Sequence, residues 1–243
     1  TVSIAISENL FDLDPLNSNS LPARINSFNI FEPLYEFDHK GTSGEFYPCL
    51  ATEYSVDDTG CVWTFKLREG VKFHNGEDFN ADDVVCTFNR LLEDKSLSCA
   101  NQFWPYLSAV EKVDNYTVKI STSQPYAATL ISVCYTPIIP NEAYTEKGTD
   151  LFLAGAMYGT GPWVFDEWVD GAYTHYTKNE NYWNKENYNT AFEDMYVRYI
   201  LESSSAIAAH LSGEVDAYVP SNGIDPELLG QYANAANTEL ISL

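Results

Sequence analysis

Apolar and polar residues alternate from Val2 to Ser7, which predicts a strand, and the next stretch, Glu8 to Ser20, is a polar loop around Asp14-Pro15 and Asn17-Ser18-Asn19-Ser20. Ile25 to Leu34 is mostly apolar and predicts a buried helix leading into Phe31-Glu32-Pro33-Leu34-Tyr35, with a turn at His39-Lys40-Gly41. After a turn at Asp58-Thr59-Gly60, alternation returns over Cys61 to Arg68 and predicts a half-exposed strand. Asn75-Gly76 predicts a tight turn, because both residues tolerate positive φ. Asn80 then reads as a helix N-cap with Asp83 three residues on, and Val84, Val85, Phe88, Leu91 and Leu92 form one apolar stripe at helical spacing. Asp82 and Asp83 suit the positive end of that helix, a structural role that outweighs a catalytic one.

Val110 to Ser121 alternates around a turn at Asp114-Asn115, and Ala127 to Val133 is an apolar, helix-compatible stretch closed off by Pro137 and Pro140. Gly159-Thr160-Gly161-Pro162-Trp163 is a glycine-punctuated turn into a hairpin formed around Trp163-Phe165 and Tyr173-Tyr176. Ser204 is the expected cap of a short helix, Ala206 to Leu211, which Gly213 ends before a strand over Val215 to Val219. The pattern is mixed α and β, without internal repeats or low-complexity linkers.

Composition narrows the classes. A chain of 243 residues is long enough for one large domain or two smaller ones, and 45% hydrophobic with 14% aromatic residues predicts a packed core. Against 35 acidic side chains stand 13 basic ones, a net charge of −22, which argues against nucleic acid and anionic lipid as partners. No run of 18 apolar residues is present to span a membrane, and the first residues carry neither an initiator Met nor a signal-type apolar region, so an export signal is expected to have been removed. The five cysteines are widely spaced, without C-x-x-C or Cys/His clusters. Cys86 falls in a helical apolar pattern as a small buried hydrophobe, whereas Cys49, Cys61, Cys99 and Cys134 are candidates for pairing outside the cell.

Catalytic patterns are missing. Gly159-Thr160-Gly161 is not followed by Gly-Lys-Ser/Thr or by a helix signal, so it reads as a turn rather than a phosphate loop. Neither a Gly-x-Ser-x-Gly elbow nor a His-Glu-x-x-His pair occurs, and His39, His74, His175 and His210 are scattered. With 35 acids, neighbouring carboxylates say nothing specific about a glycosidase pair. The expectation is a protein that is not an enzyme and uses neither cofactor nor metal.

Asp14-Pro15, Phe31-Glu32-Pro33-Leu34, Leu50-Ala51-Thr52-Glu53-Tyr54, Trp63 through Gly76, Phe79 through Val85, Gly159 through Trp163, Asn179-Glu180-Asn181-Tyr182-Trp183 and Ser212 through Asp216 follow one another along almost the whole chain. In this order they resemble the signature blocks of the oligopeptide-, dipeptide- and nickel-binding proteins of ABC importers (family 5 of the extracytoplasmic solute-binding proteins). The resemblance implies a periplasmic-binding-protein-like α/β (mixed α+β) lobe, residues 1–37 and 157–243, with an inserted β-rich subdomain, residues 38–156. Full members are about twice as long, so the second lobe is expected to be absent here.

The function implied is capture of an extracellular solute, an oligopeptide or dipeptide, for delivery to ABC permease subunits. Such a protein is a monomer outside the cytoplasm, periplasmic or held on the outer membrane face by a lipid anchor upstream of this chain. By the same resemblance Asn19, Ser20 and Arg24 lie on the cleft wall, and the guanidinium fork of Arg24 suits a ligand carboxylate, although a surface Arg paired with an acid is the competing reading. Trp104 and Tyr106 align with cleft aromatics that stack on a ligand, with core packing as the alternative. Near Tyr135 and Thr136, where nickel-type members carry an Arg for an anionic chelate, this chain has none, which favours peptide over a nickel or metallophore ligand. A secreted hydrolase and a chemosensory receptor are the competing classes.

Overall fold

The computed structural model describes residues 1–17, 20–38, 44–153, 156–188, 191–221, 223, 224, 230 and 239. The chain opens with β1 (Val2–Ile6), α1 (Leu21–Ile30), β2 (Tyr35–Phe37), β3 (Phe46–Pro48), β4 (Ala51–Val56) and β5 (Val62–Leu67). Next come α2 (Ala81–Glu93), α3 (Ser98–Phe103), β6 (Leu107–Asp114), β7 (Thr117–Thr122), α4 (Thr129–Cys134), α5 (Asn141–Lys147) and α6 (Asp150–Leu153). It continues through β8 (Trp163–Val169), β9 (Tyr173–Lys178), β10 (Asp194–Tyr199), α7 (Ser203–Leu211) and β11 (Ala217–Val219). The expected turn at His39-Lys40-Gly41 lies outside the described residues.

Two sheets organise these elements. The first has the order β11-β1-β10-β9-β8, with β1 parallel to both β10 and β11 and the β8–β9 and β9–β10 pairs antiparallel. The second, β4-β5-β7-β6, is wholly antiparallel, and β2 and β3 form a separate pair. Each sheet buries its own core. Phe65, Val118 and Ile120 of the antiparallel sheet meet Val84, Phe88 and Leu91 of α2, together with Trp104. Ile6, Trp163, Tyr176, Val197 and Tyr199 of the mixed sheet meet Ala23 and Ile30 of α1, with Phe152 and Met157. Ile138 packs in the first cluster and Ile139 in the second, where Ala143, Leu151, Phe152, Ala156 and Met157 join it.

Local chemistry accounts for the element ends. The stripe expected from Val84 to Leu92 lies on α2, whose start is a reciprocal cap, in which Asn80 Oδ1 accepts from Asp82 N at 2.8 Å and Asp83 Oδ2 from Asn80 N at 2.8 Å. Asp83 Oδ1 also accepts from Asn141 N at 2.7 Å, so one buried carboxylate holds the first turns of α2 and α5. The helix expected from Ile25 starts earlier, at Leu21, because Ser20 caps it and Pro22 in the first turn has no amide to satisfy.

Three expectations are corrected. Ser204 does not cap α7, which starts at Ser203 after Glu202, and its hydroxyl donates to the Glu202 carboxylate at 2.9 Å. The last strand is shorter than Val215 to Val219: Val215 is buried beneath α7, and the Asp216 carboxylate takes the Ser3 amide at 2.7 Å, so pairing begins at Ile4↔Ala217. The cysteines do not pair. All five are free thiols, with Cys49, Cys99 and Cys134 placed as small apolar side chains in the antiparallel-sheet core. Burial pushes the Cys99 and Cys134 thiols up to about 12 and that of Cys86 to about 11.

Candidate functional site

Arg24, Ser27 and Phe28 stand three and four residues apart on α1 and so share one face. That face borders a small recess of about 20 Å³ whose other walls include Pro15, Cys99, Phe103 and Tyr135. Phe103 and Tyr135 stack at 4.7 Å with 10° between their planes, and the Arg24 guanidinium lies over both rings, 5.0 Å from the centre of Tyr135 and 5.9 Å from that of Phe103. Phe28 meets the edge of Tyr135 at 6.3 Å. A cation is therefore seated on aromatic faces with its fork beside a partly apolar hollow, an arrangement suited to an anionic oxygen.

Surrounding hydrogen bonds hold these walls. The ends of α3 and α4 are tied by Ser132 Oγ donating to Phe103 O at 2.5 Å and by Trp104 Nε1 donating to Thr136 Oγ1 at 2.7 Å, which keeps the two rings in register. Pro15 is placed by its neighbour Asp14, a nearly buried carboxylate bound by both terminal nitrogens of Arg90 from α2, one of them at 2.8 Å. The Cys99 amide donates to Leu16 O at 3.0 Å and brings the loop after β1 against α3.

The expected site residues divide. Arg24 and Tyr135 meet in the recess. Ser20 sits at its helix start, where its hydroxyl accepts from Ala23 N at 3.4 Å, and Asn19 lies outside the described residues. Trp104 is corrected to a core residue: it is 1% exposed, edge-on to Phe88 at 5.0 Å and bonded to Thr136, so its faces are covered. Tyr106 is partly exposed but packs on Tyr126 at 5.3 Å and does not line the recess. Ser27, Phe28 and Phe103 were missed. Once α1 is known to start at Leu21, the helical spacing from Arg24 points to the first two, whereas nothing local marks Phe103.

A second cluster explains several signature blocks without invoking a ligand. The Glu32 carboxylate, 3% exposed, accepts from Thr160 Oγ1, Tyr182 OH and Trp183 Nε1, each at 2.7 Å. Burial nevertheless pushes its pKa from an ordinary 4.5 to about 7, against the lowering effect of those three donors. Gly159 and Gly161 press against the end of α1: Gly161 N donates to Ile30 O at 2.8 Å, and a Cβ on Gly159 would stand 1.9 Å from that oxygen. His74 spans both glycines, its Nε2 donating to Gly161 O at 2.9 Å while its Nδ1 accepts from Gly159 N at 3.3 Å, which specifies a neutral ring. Glu32, Glu36 and Cys49 bring potential metal-ligand atoms within 4.8 Å of one another, but Glu32 is already engaged by three donors and burial holds the Cys49 thiol well up.

The chain thus carries a mixed sheet and an antiparallel sheet, a buried node around Glu32 and a recess under Arg24. The chain belongs to the bacterial extracellular solute-binding proteins of family 5: the family model described as "Bacterial extracellular solute-binding proteins, family 5 Middle" matches residues 45–239. Members of this family are binding components of ABC transporters and not enzymes. The glutathione-binding protein GsiB of Escherichia coli strain K12 is 28% identical over 184 residues, 75% of this chain and 35% of its own length. The fold matches DppA of Helicobacter pylori, solved with the peptide STSA, at a TM-score of 0.84 and 24% identity over 97% of this chain and 49% of that one. NikZ of Campylobacter jejuni, solved with Ni(L-His), matches at 0.82 and 24% identity over 96% of this chain and 45% of that one. The chain thus spans half or less of the length of these relatives.

Proposed function

We propose that this chain is the larger lobe of the substrate-binding component of an ABC importer, which captures peptides outside the cytoplasm and hands them to permease subunits. In this reading a second lobe completes the cleft, the protein works as a monomer, and a lipid anchor upstream holds it at the membrane surface. Residues 1–37 and 157–243 are the lobe proper and 38–156 its insertion. The observation that carries the peptide assignment is the Arg24 guanidinium poised on the Phe103–Tyr135 stack at the recess, a seat for a peptide's carboxylate. Tyr135 and Thr136, rather than an Arg, occupy the position where a chelate-binding cation would stand, which supports peptide over nickel chelate.

Calorimetry on the full-length protein tests this with di- to pentapeptides and with Ni(L-His). Micromolar or tighter peptide binding, weakened at least tenfold by Arg24→Ala and only partly restored by Arg24→Lys, is the expected result. Binding of Ni(L-His) with no response to any peptide overturns the peptide assignment.

A further inference from the structure

Phe11 and Leu201 are 78% and 64% exposed, more than any other large apolar side chain among the described residues. Both follow the carboxyl ends of neighbouring parallel strands: Ile6 ends β1, Tyr199 ends β10, and the two residues pair in register. Val169, 39% exposed at the end of β8, borders the same edge, because Tyr173 across the β8–β9 turn pairs with Arg198 of β10. After β1 the chain turns to α1, whose Ala23 packs with Ile6, and after β10 it turns to α7, whose Ala206 packs with Ala5. Ala5 and Ile6 point to opposite faces of the sheet, so the two connections part and leave this edge uncovered between them.

We infer that this edge is the seat of the second lobe of the full-length protein, a fixed contact that stays closed whether or not a ligand is bound. The inference rests on the carrier reading, which supplies a second lobe, and deepens it by naming the surface that lobe occupies. The chain spans 49% of DppA and 45% of NikZ, so a protein of their length has as much polypeptide again to place. The segment after β11 passes along this edge, where Ser221 N donates to Ser7 Oγ at 3.0 Å. Two polar atoms of the same loops, Asn9 Oδ1 and Ser221 Oγ, are buried and unmet, which points to partners supplied from outside the lobe. Glu8, Asp170 and Glu202 lie on these loops as an acidic rim, so the matching surface is apolar at its centre with Lys or Arg at its margin. A contact that opened in every ligand cycle would return Phe11 and Leu201 to water each time, so apolar matching favours one that does not open.

The test is thiol labelling of the full-length protein, read peptide by peptide with mass spectrometry so that the native cysteines are resolved. Phe11→Cys and Leu201→Cys are compared with Val113→Cys on β6, a control position that is 49% exposed. Both edge positions should label at least about tenfold more slowly than position 113, equally with and without di- to pentapeptides. Rates matching the control overturn the inference and leave the carrier reading standing. Protection that arises only with peptide also overturns it, because the surface then closes on the ligand. Wild-type protein supplies an independent readout where a variant does not fold: in hydroxyl-radical footprinting normalised for intrinsic reactivity, Phe11 should be oxidised less than Tyr54, although Tyr54 is only 42% exposed. Oxidation of Phe11 above Tyr54 overturns the seat. Protected edge positions in a protein that binds no peptide support the seat and overturn the peptide reading.

Discussion

Glu32 accepts the indole N–H of Trp183 at 2.7 Å across 151 residues of sequence, and the same carboxylate takes the hydroxyls of Thr160 and Tyr182. Three signature blocks therefore converge on one buried acid. Truncating that acid leaves three donors unmet. Glu32→Ala should cost about 3–5 kcal/mol of unfolding free energy, measured by urea denaturation.

The pH dependence of stability separates charge from hydrogen bonding at this node. Glu32 is raised from 4.5 to about 7 on folding, so the folded state binds more protons, and this contribution is fully present below 4.5 and lost as pH rises through about 7. Asp83, raised from 3.8 to about 7 by burial, acts in the same direction. His74, lowered by burial, acts oppositely, losing stability as pH falls below its ordinary 6.5. Glu32→Gln keeps an acceptor for Thr160 and Trp183 and offers an amide N–H to Tyr182. Its urea midpoint should exceed that of wild type at pH 8 and converge with it near pH 5; a constant difference across that range would refute the assignment.

Gly159→Ala should be among the most damaging single-methyl additions in the chain. Its Cβ would sit 1.9 Å from the Ile30 carbonyl oxygen, a backbone atom that cannot rotate away. A loss of at least about 3 kcal/mol is expected, with reduced soluble yield. Gly171, with open space around it, serves as the control site for steric crowding, although its φ of 69° adds backbone strain of its own.

Asp83→Asn retains one acceptor and loses its charge, whereas Asp83→Ala uncaps both Asn80 N and Asn141 N. The alanine variant should lose about 2–3 kcal/mol and the asparagine variant less, as read from thermal unfolding at pH 8.

The thiols supply a chemical check on the fold. Mass spectrometry of peptides from this chain should show its five cysteines as free thiols, and added reductant should leave its Tm unchanged. Cys61, on a partly exposed turn, should react first with a thiol reagent, and Cys49, Cys99 and Cys134 only on unfolding. Loss of two mass units per pair, with a Tm that falls on reduction, would contradict the unpaired arrangement.

Much of this protein could be read along the chain, because local periodicity and capping act over a few residues. The alternation of Val2–Ser7 and Cys61–Arg68, the Asn80–Asp83 cap with its stripe, and the hairpin after Trp163 all depend on neighbours within about four positions, and each is found at or near its expected place. The ordered blocks indicated the family, which the matching family model shows. Packing decided the rest. Whether Trp104 faces a ligand or Phe88 depends on α2 and Thr136, remote in sequence, and its ring is enclosed by both. Ile139, Leu151 and Phe152, within the stretch 38–156 read as the insertion, pack in the mixed-sheet core because their apolar partners lie there. The family resemblance singled out Arg24, but its seat on Phe103 and Tyr135 exists only once α1, α3 and α4 meet. Hydrophobic pattern and capping are local and so are written in the sequence, whereas the partner of a buried cation, acid or ring is chosen by three-dimensional closure among residues up to 151 positions apart.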